Sequence, residues 1–115
     1  FETLADQMHN FAPGIFSVLV PGPSGLQIGA GDALYPFDDK EKAIALWAYK
    51  NGQPAGHGTD NLPAGKGYYI PLKTQRTVFG IMAFIFDKPD EALIPENKEI
   101  FETMSFLGAL ALERL

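Results

Sequence analysis

Gly52-Gln53-Pro54-Ala55-Gly56-His57-Gly58-Thr59-Asp60-Asn61-Leu62-Pro63-Ala64-Gly65-Lys66-Gly67 runs directly into Tyr68-Tyr69-Ile70-Pro71-Leu72. Five glycines and two prolines in these sixteen residues, with neither helical nor alternating apolar period, predict a long structured loop rather than a helix or strand. Loops of this length in a compact domain are usually functional or disordered. An aromatic strand follows at once and Leu62-Pro63 interrupts the polar run, so the loop is expected to be ordered and folded back onto a sheet. Leu62 is then expected to close over apolar surface.

Outward from the loop the elements alternate in type. Before it, Ala43, Ile44, Trp47 and Ala48 recur at helical spacing behind Asp38 or Asp39 as cap, and Asn51-Gly52 supplies a left-handed stop. After it, Tyr68 to Leu72 and Val78 to Phe86 form a hairpin across Thr74-Gln75-Arg76. The second strand is apolar on both faces, which predicts a central strand covered on both sides. Adjacent Tyr68 and Tyr69 must point to opposite faces, so only one can look toward the loop and the other packs under the terminal helices. Nearer the start, Leu4, Ala5, Met8 and Phe11 predict a helix over residues 1 to about 11, ended by Pro13-Gly14. Ile15 to Val20 and Leu26 to Ile28 predict a first hairpin, followed by an irregular connection pinned by Leu34, Tyr35 and Phe37. Pro89 to Pro95 reads as a connector. From Glu96 a helix carries Ile100, Met104, Leu107, Ala111 and Leu115 on one stripe, with Phe106 and Leu110 off it. Helix, hairpin, helix, hairpin, helix is an α+β order: an antiparallel sheet with the terminal helices on one face and the middle helix plus long loop on the other.

Composition narrows the function. At 115 residues the chain makes one domain. A net charge of −5 with nine scattered basic residues argues against nucleic acid as a partner. The absence of cysteine excludes disulfides, thiolate metal sites and thiol nucleophiles. No apolar run reaches the ~20 residues that a membrane-spanning helix needs. The opening Phe1-Glu2-Thr3-Leu4 and the closing Glu113-Arg114-Leu115 read as cuts, so the chain is expected to be a domain excised from a longer protein.

Several residues invite chemistry. His57, Thr59 and Asp60 resemble a nucleophilic triad only in composition, since a glycine-spaced loop gives no rigid support to hold base against nucleophile. His57 with Asp60 supplies at most two of the three or four ligands a metal needs. Gly65-Lys66 fails as a phosphate loop, because Gly67 stands where Ser or Thr is required and a strand follows instead of a helix. Thr59 and Asp60 suit loop-stabilising turns. No catalysis, no metal and no cofactor are expected. Ligand contact, if it occurs, is assigned to Gln53, His57, Thr59, Asp60, Tyr69 and Trp47, around a pocket between the sheet and the 53–63 loop.

The run Gly52 to Gly56, Gly58-Thr59-Asp60, Leu62-Pro63 and Pro71-Leu72-Lys73, with the Ala43 to Lys50 helix before it and the Pro95 to Arg114 helix after it, resembles the GAF-type domain of KdpD-type, potassium-responsive sensor histidine kinases. The likeness covers the chain from about residue 38 onward. Asn61, the doubled Tyr68-Tyr69 and the preceding Gly65-Lys66-Gly67 depart from it. It implies a non-catalytic regulatory domain, on the cytoplasmic side of a bacterial inner-membrane kinase, controlling potassium-transport genes. Its implied partners are the kinase core and membrane segment of its own parent chain. Phe106 and Leu110, off the terminal helix's stripe, call for a second partner, either the first helix through Leu4 and Met8 or a second copy paired weakly through the terminal helices, and the charge argues for no nucleic acid. Neither His9 nor His57 has the mid-helix setting of a phospho-acceptor. Asn97-Lys98 with Phe101 matches part of a cyclic-nucleotide signature of some GAF domains, but Ser105-Phe106 stands where its acidic pair is required. A small-molecule-binding GAF module of an unrelated signalling protein is the alternative.

Overall fold

The computed structural model describes residues 14–23, 25–31, 35–75 and 77–114. The expected first helix, with Leu4, Met8 and Phe11, lies outside them, as do Leu34, Arg76 and Leu115. The elements are β1 (Gly14–Gly22), β2 (Gly25–Gly31), α1 (Asp39–Asn51), β3 (Ala55–Gly56), β4 (Tyr68–Lys73), β5 (Val78–Phe86), α2 (Pro89–Ala92) and α3 (Pro95–Glu113). The five strands form one sheet in the order β2-β1-β5-β4-β3, with every pairing antiparallel.

The apolar run of β5 has the predicted consequence: it is the middle strand, and its side chains alternate between two cores. Met82, Phe84 and Phe86 join Phe16, Val18, Tyr68, Ile70, Leu72 and Phe101 beneath α3. Ile81 and Ala83 join Leu19, Tyr35, Ile44, Ala45, Ala48, Ala55 and Tyr69 beneath α1. Phe101 of α3 sits at ring-centroid distances of 5.3 Å from Phe84, 5.4 Å from Phe86 and 6.2 Å from Tyr68, so one helix side chain closes the aromatic core. The antiparallel α+β arrangement with helices on both faces is the one read from the sequence.

Two expectations need correction. The long loop is not wholly irregular, because Ala55–Gly56 pairs with Tyr69 and Tyr68 as a fifth, edge strand. The buried face of α3 is Phe101, Ser105, Gly108 and Ala109, while Ile100 is 41% and Leu107 58% exposed. Small residues win this face because they let the helix axis approach the sheet around Phe101, whereas a stripe chosen by side-chain size falls about a quarter-turn away. Phe106, at 46% exposure, lies off the core as expected.

Candidate functional site

Helix α1 starts where Asp38 caps it: the Asp38 carboxylate accepts the Glu41 backbone N–H at 2.9 Å. It stops at Gly52, whose φ of 64° is the left-handed conformation expected of a helix end, and the Gly52 N–H returns to Ala48 O. These two caps fix the rotation of the helix, and with it the direction of Glu41. Its side chain, 1% exposed, points inward against the loop.

The Glu41 carboxylate accepts three hydrogen bonds: from the Lys66 N–H at 3.2 Å, the Gly67 N–H at 2.9 Å and the Tyr69 hydroxyl at 2.7 Å. Tyr35 in turn donates its hydroxyl to the Tyr69 oxygen at 3.0 Å. A buried carboxylate is tolerated only when donors replace its lost water, and this one has two amides and a phenol. The glycine at 67 is a matter of space, since a Cβ there would lie 2.5 Å from both the Tyr35 and the Tyr69 hydroxyl oxygens. Burial pushes the Tyr69 phenol well above its ordinary range, with Tyr35 and Glu41 adding to the effect. Burial likewise raises Tyr35, and it raises Tyr68 with help from Glu102. All three phenols are therefore neutral around neutral pH, and Tyr35 and Tyr69 act as donors. The arrangement is a fastening, with its hydrogen bonds spent internally.

The rest of the loop is held by its own backbone. Gly56 N–H donates to Asn61 O at 2.8 Å, Thr59 Oγ1 donates to Gly56 O and Asn61 O at 2.9 Å each, and Asn61 Nδ2 donates to Pro54 O at 3.0 Å. The reading of Thr59 as a turn-stabilising hydroxyl is thus realised in detail. Leu62 does not close over apolar surface. It is 44% exposed at a φ of 52°, because the turn needs a left-handed residue there and points its side chain outward.

The six residues singled out for ligand contact do not converge. Tyr69 is fully buried and committed to Glu41, Trp47 is half-buried on α1 itself, and Gln53 is exposed. His57 Nε2 faces Asp90 Oδ1 of α2 at 3.9 Å, not Asp60. Thr59 and Asp60 instead line an open depression of about 300 Å³ with Pro54, Gly58, Asn61, Tyr68, Lys98 and Glu102, on the α3 side of the sheet. The sequence reading set the loop against Tyr69, yet it is Tyr68 that floors the depression. Glu41, Tyr35 and Lys98 were not singled out for the site, and Tyr68 stood outside the ligand set. The signal for Glu41 was its position three, four and seven residues before Ile44, Ala45 and Ala48, on the buried stripe of α1. The spacing Asp38-x-x-Glu41 also matches a capping box, a motif that would turn the glutamate back toward the helix start.

A family model described as "GAF domain" matches residues 4–114. The chain belongs to the GAF family. Among curated relatives, this GAF domain is 38% identical over 100 residues to the sensor protein KdpD of Escherichia coli (strain K12), covering 85% of the chain and 11% of that protein. It is 36% identical over 74 residues to the sensor protein KdpD of Clostridium acetobutylicum, covering 64% of the chain and 8% of that protein. The chain thus spans about a tenth of the length of the relatives it matches. Among solved structures, the native GAF domain of the potassium sensor histidine kinase KdpD from Escherichia coli superposes with a TM-score of 0.81 at 34% identity, over 99% of this chain and 79% of that one. The second GAF domain of DevS from Mycobacterium smegmatis superposes at 0.68 with 21% identity, over 98% of this chain and 90% of that one, and shows the shared fold.

Proposed function

We propose that this GAF domain is a non-catalytic regulatory module of a KdpD-type sensor histidine kinase, set between membrane segments and the kinase core on the cytoplasmic side. There it passes on a signal that governs potassium-transport genes. The observation that carries the reading is the 38% identity to KdpD over 85% of the chain. The buried Glu41 fastening supports it, because a loop with its polar groups spent on structure suits signal transmission better than chemistry. Among the described residues no helix is long and apolar enough to cross a membrane. The test is a chimera in which this chain replaces the matching segment of KdpD. The chimera is expected to autophosphorylate and to keep its response to potassium limitation. A chimera that autophosphorylates fully yet ignores potassium, while the reinserted native segment responds, overturns the reading.

The same reading includes a weak two-fold pairing through the terminal helices. Phe106 and Leu107 of α3 expose 46% and 58% of their surface on the side away from the core, which leaves an apolar face for a second copy of the helix to cover. Sedimentation across a concentration series is expected to show a dimer that Phe106→Glu abolishes. A dimer indifferent to that substitution removes this surface as the interface.

A further inference from the structure

We propose that the 54–67 segment is a mechanical relay coupling α1 on one face of the sheet to α3 on the other, so that a perturbation at Glu41 is felt at Lys98 and the reverse. The relay is a line of hydrogen bonds around the β3 edge, joined through the His57-Gly58 main chain. Glu41 Oε1 accepts the Gly67 N–H at 2.9 Å, and Gly67 O accepts the His57 N–H at 2.8 Å. One residue further along the chain, the Gly58 carbonyl accepts a hydrogen bond from the Lys98 ammonium of α3. Between the Glu41 carboxylate and the Lys98 ammonium every linking group is main chain, so side-chain rotamers enter only at the two ends of the line.

The segment is also stiff. The Gly56–Asn61 backbone bond and the twofold engagement of Thr59 Oγ1 close the 56–61 turn on itself. At its tip Gly58, with φ of 80°, packs so closely that a Cβ would lie 2.9 Å from Leu93 Cδ1. A stiff body fastened at both ends transmits displacement. By thermodynamic reciprocity, whatever changes the strength of one fastening changes the other equally. The inference rests on the proposed function only for its purpose, since it makes the α1 face an input and α3 the output.

Energetic coupling, not spatial continuity, is the evidence such a relay requires. A double-mutant cycle on the 115-residue chain supplies it, with Glu41→Gln and Lys98→Met measured singly and together by denaturant unfolding. The folding equilibrium constant of the double variant is expected to depart from the product of the single effects by about fivefold or more, as sites sharing one network do. Agreement with that product within about twofold overturns the relay. Thr74→Val, which breaks the Thr74–Glu113 bond at the far end of α3, is the control and is expected to combine multiplicatively with Glu41→Gln. If Glu41→Gln fails to fold, Tyr69→Phe replaces it by removing one donor to the same carboxylate. The cycle is read without a kinase. An additive cycle therefore counts against the relay alone, and a potassium-blind chimera counts against the assignment of function alone.

Discussion

Replacing Glu41 with alanine is expected to cost about 4 kcal/mol of folding stability, a substantial part of the 5–15 kcal/mol that a domain of this size possesses. The loss follows from three donors left without an acceptor. Hydrogen bonds to a charged group contribute roughly 1.5–3 kcal/mol each, and buried donors whose partner is removed keep their full desolvation cost. Part of this returns as water enters the vacated volume, so about 4 is expected rather than the sum. The corresponding fall in melting temperature is roughly 15 °C. Glu41→Gln is expected to cost about half as much, because its amide oxygen keeps one acceptor while its NH2 turns a donor toward the donors of Lys66 and Gly67. Tyr69→Phe, which deletes only the 2.7 Å hydroxyl bond and orphans the Tyr35 donor, is expected to fall near 1.5 kcal/mol. Denaturant midpoints at constant slope measure all three. An alanine variant within about 1 kcal/mol of the parent would mean that the loop amides find water without strain and that Glu41 fastens nothing.

That the sequence did not single out Glu41 has a physical cause. Glu41 precedes Ile44, Ala45 and Ala48 by three, four and seven residues and so lies on the buried stripe of α1, but a glutamate reads as a surface charge, and its acceptance there depends on partners 25, 26 and 28 positions away. No local period records such a contact. The edge strand Ala55–Gly56 was illegible for the same reason: two small residues become a strand only because β4 offers them its free edge. The face of α3 misled for the opposite reason. Hydropathy ranks Ile100 and Leu107 above Ser105 and Gly108, but the close approach of helix to sheet selects the smaller pair. Where local chemistry alone decides, the reading was faithful. The Asp38 cap, the Gly52 stop, the central β5 and the opposed Tyr68 and Tyr69 all follow from backbone geometry and alternation. The candidate site was the least legible part, since the loop wraps the sheet edge: its 65–67 end meets Tyr69 through Glu41, while its 58–61 turn lies beside Tyr68 and α3.

Raising the pH above 10 is expected to unfold the domain steeply, with tyrosine ionisation and loss of structure in a single transition. An unfolded tyrosine ionises near pH 10, whereas burial raises Tyr35, Tyr68 and Tyr69 well above that. The folded state therefore holds protons that the unfolded state has released. Stability from these groups is fully present below the unfolded value and is lost as pH climbs through the interval up to the folded values. Each phenol contributes about 1.4 kcal/mol per pH unit across that interval, so three together remove about 4 kcal/mol per unit. A reserve of 5–15 kcal/mol is exhausted within roughly one to four units above pH 10. Phenolate absorbance and near-ultraviolet circular dichroism, followed together, measure it. They are expected to coincide, with a steepness that shows several protons leaving at once. Tyr68→Phe, which leaves the Glu41 network intact, is expected to reduce the slope by about a third, because one of the three refusing phenols is gone. Independent titration of the buried tyrosines near pH 10, with the fold intact, would show instead that the Glu41 network opens readily to water.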